Sequence, residues 1–357
     1  MVFTGSTGKI STWSRGLRNW LSDWFEDAAG AGVFLKFSVY GFALYLLISI
    51  AIGIFWSAEP DAFNVKDNAA LHTEGGNPQV VGVVTTSTLI GVAELLLNKQ
   101  GGFLSNDILP PGSLLDNIPN WEYGVLIQVR DMSKAMREAF SRSQSQSSED
   151  NDLARAESRF NFDHDSWAVP ASESEYRQGI KFLQAYRLRL VDTRQQNAQF
   201  YARADNLRYW LSTVESRLGS LSQRLSASVG QRRINTDLAN EERASQATPV
   251  PKEMEVKTPW LEIDDVFYEA RGSAWALIQF LRAVEVDFGD VLAKKNALVS
   301  LQQIIRELES TQETVYSPLI LNGSGFGPLA NHSLVMASYM SRANAGIIDL
   351  RRLLEQG

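Results

Sequence analysis

From Phe37 to Trp56 the chain reads FSVYGFALYLLISIAIGIFW, a run without a single charged side chain. As a helix rising 1.5 Å per residue it would span about 30 Å, the thickness of the hydrocarbon layer of a bilayer. Tyr40 and Tyr45 add amphipathic rings, Trp56 sits where an interfacial anchor belongs, and Glu59-Pro60-Asp61 ends the helix. A cleaved signal peptide has an apolar stretch of only about 7–15 residues and a small-residue cleavage site. Neither fits, and the pattern predicts a retained transmembrane anchor.

Ahead of the anchor, Trp13, Leu17, Trp20, Leu21, Trp24 and Phe25 recur at helical spacing among Arg15, Arg18, Asn19, Ser22 and Asp23. Three tryptophans on one stripe predict a helix lying in the membrane interface. The competing readings are a partner-binding stripe and a small packed helix. Gly30 and Gly32 would form the joint to the anchor.

Beyond the anchor the pattern is helical throughout. Leu89, Val92, Ala93, Leu96 and Leu97 mark a helix over about 86–98, ending at Gly101-Gly102, and an irregular loop with Pro110-Pro111-Gly112 comes next. Asn120 reads as the cap of a helix running to about Ser143, where SRSQSQSSED interrupts the apolar pattern. Ser172 and Glu175 form a capping-box signature before Ile180, Leu183, Tyr186 and Leu190.

The clearest period runs Phe200, Ala204, Leu207, Leu211, Val214, Leu218, Leu221, Leu225, in alternating steps of four and three. That is a heptad seam. Phe267, Ala270, Ala274, Leu277, Leu281, Val284, Phe288 and Val291 repeat it, as do Met336, Met340, Ala343, Ile347, Leu350 and Leu354. Three helices of one period predict shallow, left-handed packing in an elongated all-α bundle, one seam against another or against a second chain. The helix beginning near Asp264 either continues to Thr314 or turns back near Phe288-Gly289-Asp290.

These patterns divide the chain into a tail (1–36), the anchor (37–56), a tether (57–78), a first bundle part (79–234), a flexible connection (235–258) and a second bundle part (259–357). Each bundle part alone would leave an apolar stripe bare, so the two are expected to pack together.

Charge then adds orientation. Lys9, Arg15, Arg18 and Lys36 precede or border the span, and the first stretch after it offers only Lys66. The excess places the tail in the cytoplasm and the large domain across the membrane, which in a Gram-negative cell is the periplasm. Residues 1–36 carry four basic and three acidic side chains, leaving 34 − 4 = 30 basic against 41 − 3 = 38 acidic for the remainder, or −8. Such a domain is poorly suited to neutralising phosphates, which excludes nucleic acid as a partner. Membrane lipid and either a protein partner or a second copy of the chain remain.

Candidate chemistry is sparse. The absence of cysteine removes thiolate metal sites, catalytic thiols and disulfides together. His72, His164 and His332 form no pair at metal-ligand spacing, and Asp163-His164-Asp165 reads as a solvated turn. His332 begins a helix that Asn331 caps. The Gly-rich loop Asn322–Pro328 matches neither phosphate-binding pattern and reads as an interhelical turn. No catalytic residue, metal or cofactor is expected.

The stretches LSNDILPPG, NWEYGVLIQVRDMSKAMR, SRSQSQSSED, PASESEYR, FYARADNL, RLGSLSQRLSASVGQRR, VKTPWLEIDDVFYEARGSAWAL and LNGSGFGPLANHSLVMASYMSRANA stand in one order along the chain. Together they resemble a family of proteobacterial inner-membrane proteins known as domain of unknown function 2333. The resemblance runs from about Pro60 to the C-terminus and implies a single-pass inner-membrane protein. It brings no activity and no catalytic residues. The expected role is a scaffold or accessory subunit of a membrane or envelope complex. The alternatives are a periplasmic small-molecule sensor and, third, an envelope enzyme working through carboxylates or tyrosine.

Overall fold

The computed structural model describes residues 33–71, 80–143, 148–192, 197–234, 253–317 and 319–356. The chain divides into two units, Met1–Phe55 and Trp56–Gly357. The stripe residues Trp13, Leu17, Trp20, Leu21, Trp24 and Phe25 lie outside the described residues, as does His72.

In the first unit, helix α1 (Val33–Trp56) begins four residues before the predicted Phe37. Its stretch Leu35–Trp56 is the one described helix long and apolar enough to cross a membrane. Phe37, Tyr40 and Tyr45 are exposed along it.

Among its described residues the second unit is helical apart from one antiparallel strand pair and one isolated bridge. Its helices are α2 (Val65–Leu71), α3 (Val83–Asn98), α4 (Asn117–Ala135, continued by a π turn, Met136–Phe140), α5 (Asn151–Phe160), α6 (Ser172–Val191) and α7 (Ala204–Ser226). After the strands β1 (Gln231–Ile234) and β2 (Glu253–Val256) come α8 (Ile263–Asp287), α9 (Gly289–Lys294), α10 (Leu298–Glu309) and α11 (His332–Glu355). The strands pair antiparallel with Gln231 opposite Val256. The segment read as a flexible connection is thus ordered sheet at 253–256, and its part 235–252 lies outside the described residues.

One continuous core joins the two parts of the bundle. Helix α8 lies at its centre, buried on nearly every face, with α4 along one side and α3 along another. The α4–α8 approach is unusually close because two glycines face the crossing. A Cβ on Gly272 would stand 2.0 Å from the Trp121 carbonyl oxygen, and one on Gly124 would stand 2.1 Å from that of Glu269. Any larger residue would force the backbones apart.

Helix α7 packs along α11. Leu207, Leu211, Val214, Leu218, Leu221 and Leu225 are all buried, facing Met336, Met340, Ala343, Ile347, Leu350 and Leu354 of the opposing seam. Phe200 lies ahead of α7 rather than in it. It closes the far end of the core with Phe140 and Phe288, at ring-centroid distances of 5.2–5.7 Å. Phe288 is also where the long helix predicted from Asp264 stops, and α9 and α10 turn back from it.

The stretch read as a tether is packed over residues 57–71. Val65 and Ala69 are buried and Phe63 rests on both core clusters, with its ring 6.4 Å from that of Trp275. Burial of one small face suffices to hold α2, a helix too short to stand alone.

Two predicted helix starts move, and one predicted cap is replaced. Helix α4 begins at Asn117 with Asp116 as cap, and Asn120 instead donates to Asp116 O and to Asp265 Oδ1. Ser172 makes no capping box: its hydroxyl donates to the Asp163 and Ser166 carbonyls, and Glu175 pairs with Arg159. Helix α3 starts at Val83 behind Gly82, which has no side chain to cap with. Asp287, from the far end of α8, does that work, accepting from Gly82 N (2.9 Å), Thr85 N (2.6 Å) and Thr85 Oγ1 (2.7 Å). Asn331 caps α11 by accepting from Leu334 N at 2.8 Å.

Candidate functional site

Where the chain leaves α1 and joins the bundle, its course is fixed by one buried arginine. Arg271, two turns into α8, donates Nε to both oxygens of Glu59 at 2.7 Å. Its remaining nitrogens donate to the carbonyls of Thr311 (2.9 Å), Glu313 (2.8 Å) and Gln312 (3.1 Å). Gln312 Nε2 returns a bond to Arg271 O. A planar guanidinium with five donors can satisfy such a divergent set, whereas an ammonium point charge cannot. The segment leaving α10 and the residues just after α1 are thereby tied to the same turn of α8.

Beside Arg271 opens a groove of about 350 Å³. One wall is α8, through Phe267 and Arg271; a second is the stretch 310–317; the third is the first two turns of α11, with His332, Val335, Met336 and Tyr339. Its surface is mainly apolar, and Tyr316 and Val335 stand exposed within it. The His332 ring lies 6.5 Å from Phe267, while its Nδ1 accepts from Leu321 N at 3.1 Å. Because the guanidinium is already spent on Glu59 and three carbonyls, the groove offers apolar contact with polar edges rather than an anion site.

A second buried charge knot is structural in its geometry. Lys99 Nζ stands 2.6 Å from Glu122 Oε1, with both side chains fully enclosed. Glu122 also accepts from Leu104 N and from the Ser105 amide and hydroxyl, and Lys99 donates to Gly102 O. Burial pushes the Glu122 carboxyl up from its ordinary pKa, and Lys99 and the surrounding donors pull against it. Every polar group here has a partner, so this knot fastens the 99–105 loop to α4.

The remaining candidates separate. His164 stacks on Tyr123 at 4.9 Å, and burial lowers its pKa. No group of three or more His, Asp or Glu poised for a metal occurs among the described residues. The Asn322–Pro328 loop folds back on itself through a bridge between Asn322 and Asn331, and Asn331 Nδ2 donates to Gly323 O at 2.6 Å. The groove itself was not foreseen. Its available signal is that the chain from Thr314 to Ser341 carries no Asp, Glu, Lys or Arg.

The chain matches, over residues 30–357, the bacterial family described as "Uncharacterized protein conserved in bacteria (DUF2333)", and belongs to it. No curated protein and no solved structure matches it.

Proposed function

We propose that this DUF2333 family member is a single-pass inner-membrane protein with a cytoplasmic tail and a periplasmic helical bundle. We propose further that the bundle is a scaffold or accessory subunit of a membrane or envelope complex. The observation that carries the reading is the exposed apolar surface of α1, joined directly to a folded domain. Phe37 and Ile54, near the two ends of the helix, are each more than 70% exposed, and Leu47 between them is 65% exposed. Burying each such side chain gains about 1.5–3 kcal/mol, which a bilayer supplies along the whole helix. The excess of Lys and Arg before the span supports the orientation.

Support for a scaffold comes from the groove beside Arg271. Its apolar lining and spent cation suit an apolar segment of a protein partner better than a charged metabolite. The volume also falls within the range of about 300–1,000 Å³ usual for small-molecule sites, which favours ligand sensing as the second reading.

The test is affinity purification of the full chain from membranes in mild detergent, comparing wild type with Tyr316→Glu and Val335→Glu. Both residues are exposed, so the core is left intact. A scaffold predicts a membrane protein that co-elutes with wild type and is depleted with either variant. A bound small molecule in place of a protein supports sensing. Identical co-eluting material from all three would refute a role for the groove.

A further inference from the structure

One end of the bundle gathers large exposed apolar side chains from loops far apart in sequence. Trp260 and Leu261 precede α8, and Tyr316, Leu319, Phe326 and Leu329 lie on the connection between α10 and α11. Each is at least 64% exposed, Phe326 completely so. Hydrogen bonds tie these segments to a common point. Thr258 N donates to Ala227 O at 3.1 Å, and Asn322 Nδ2 donates to Ser228 O at 2.9 Å. Both acceptors belong to the single turn that ends α7.

The chain enters the bundle at this same end. Trp56 packs against the backbone at Gly101, where a Cβ would lie 2.7 Å from its ring, and Glu59 is tied to Arg271, eight residues into α8. Glu59 lies three residues after Trp56, a stretch that spans at most about 10 Å.

We propose that this end of the bundle is a membrane-contact face, and that its occupant is the lipid surface of the bilayer that α1 crosses. The inference rests on the reading of α1 as a transmembrane helix and adds a second site of lipid contact, in the folded domain itself. Three observations favour lipid. The chain runs from Trp56 to Glu59 within about 10 Å, and Glu59 is held by Arg271, about two turns from the start of α8 that Trp260 and Leu261 precede. The run Thr314–Ser341, which supplies four of the six side chains, carries no Asp, Glu, Lys or Arg, so that part of the face has no such charge to desolvate on insertion, and the flanking Lys257 and Glu262 are exposed and can stay in the headgroup water. Trp, Tyr, Phe and Leu are the side chains that settle at the headgroup and acyl boundary. Among the described residues toward the other end, Leu71 is also exposed, and no exposed Trp, Tyr or Phe is found beside Val299 or Leu188. Val299 at the start of α10 and Leu188 near the end of α6 are exposed there, as scattered aliphatic residues normally are on a soluble surface.

The absence of cysteine makes the test direct. Single variants Leu319→Cys, Phe326→Cys, Val299→Cys, Leu188→Cys and Ile48→Cys of the full chain carry the environment-sensitive fluorophore nitrobenzoxadiazole. They are placed in vesicles of phosphatidylethanolamine and phosphatidylglycerol, with and without lipids bearing a nitroxide quencher either near the headgroup or along the acyl chain, the latter reading position 48. The proposal predicts blue-shifted emission and several-fold quenching at 319 and 326, with water-like, unquenched emission at 188 and 299. Labels at 319 and 326 as unquenched as that at 299, while Ile48→Cys is quenched, would overturn the contact face but leave the anchor standing. This is also the outcome if the face serves a protein partner. Equal quenching at 299 and 326 would overturn it too, and no quenching at position 48 would remove the anchor and the face together.

Discussion

The Arg271–Glu59 contact makes a sharp energetic prediction, because the two partners are not equivalent. The Arg271 side chain is 9% exposed and holds three carbonyls besides Glu59, whose side chain is 20% exposed. Arg271→Met leaves a largely enclosed carboxylate and three carbonyls without donors, a loss of about 3–5 kcal/mol. Glu59→Gln keeps an acceptor in place and removes only the charge, for about 1–3 kcal/mol. The double variant is expected to cost less than the sum, since Glu59 has nothing left to pair with once Arg271 is gone, giving a coupling of about 0.5–3 kcal/mol. Thermal unfolding of the full chain in detergent, monitored by circular dichroism, reads the cycle. At about 2 °C per kcal/mol for a domain of this size, Arg271→Met should lower Tm by roughly 6–10 °C. Limited proteolysis should at the same time open the segment around 57–71. Equal losses for the two single variants with strict additivity would refute the claim that this pair holds the chain against α8.

Packing and burial set three further outcomes. Leu218→Ala removes a side chain only 1% exposed and should cost about 2–5 kcal/mol in thermal melting, with sedimentation showing the association state unchanged. Gly272→Ala should cost about 1–3 kcal/mol or more by forcing α4 from α8, while Gly289→Ala, with nothing within 4 Å of its Cβ, should be near neutral in the same assay. Asp287 has its pKa raised, chiefly by burial and against the pull of the Thr85 and Gly82 donors. The folded state therefore binds its proton more tightly than the unfolded state, so this group's contribution is greatest below about 3.8 and is lost as pH rises through the elevated value. The stability difference between wild type and Asp287→Asn, from denaturant titrations, should accordingly shrink as pH rises from that point.

Local periodicity made part of this architecture readable. The α7 and α11 seams repeat every three or four residues and lie buried against each other; α1 announces itself by the uncharged run Phe37–Trp56; Asn331 caps its own helix. What the sequence concealed depends on partners far along the chain. Asp287 caps α3 across 202 residues, and Arg271 meets Glu59 across 212. Neither separation leaves a local signature, so 57–71 read as a tether until Glu59, Phe63 and Val65 were seen against the bundle. Gly124 and Gly272 look like weak points in their helices until α4 and α8 are crossed. The groove joins Phe267, the 310–317 stretch and the start of α11. Only the uncharged run from Thr314 hinted at it, and such a run is equally compatible with a buried helix.

On the proposed topology α1 crosses a membrane once, with the tail inside and the bundle outside. Fusing alkaline phosphatase, which is active only after export, at two positions in bacterial cells tests it most directly. The fusion after Gly357 should be active and the one after Gly32 inactive. An inactive fusion after Gly357 with an active one after Gly32 would reverse the orientation, and activity at neither position would contradict translocation of the bundle altogether.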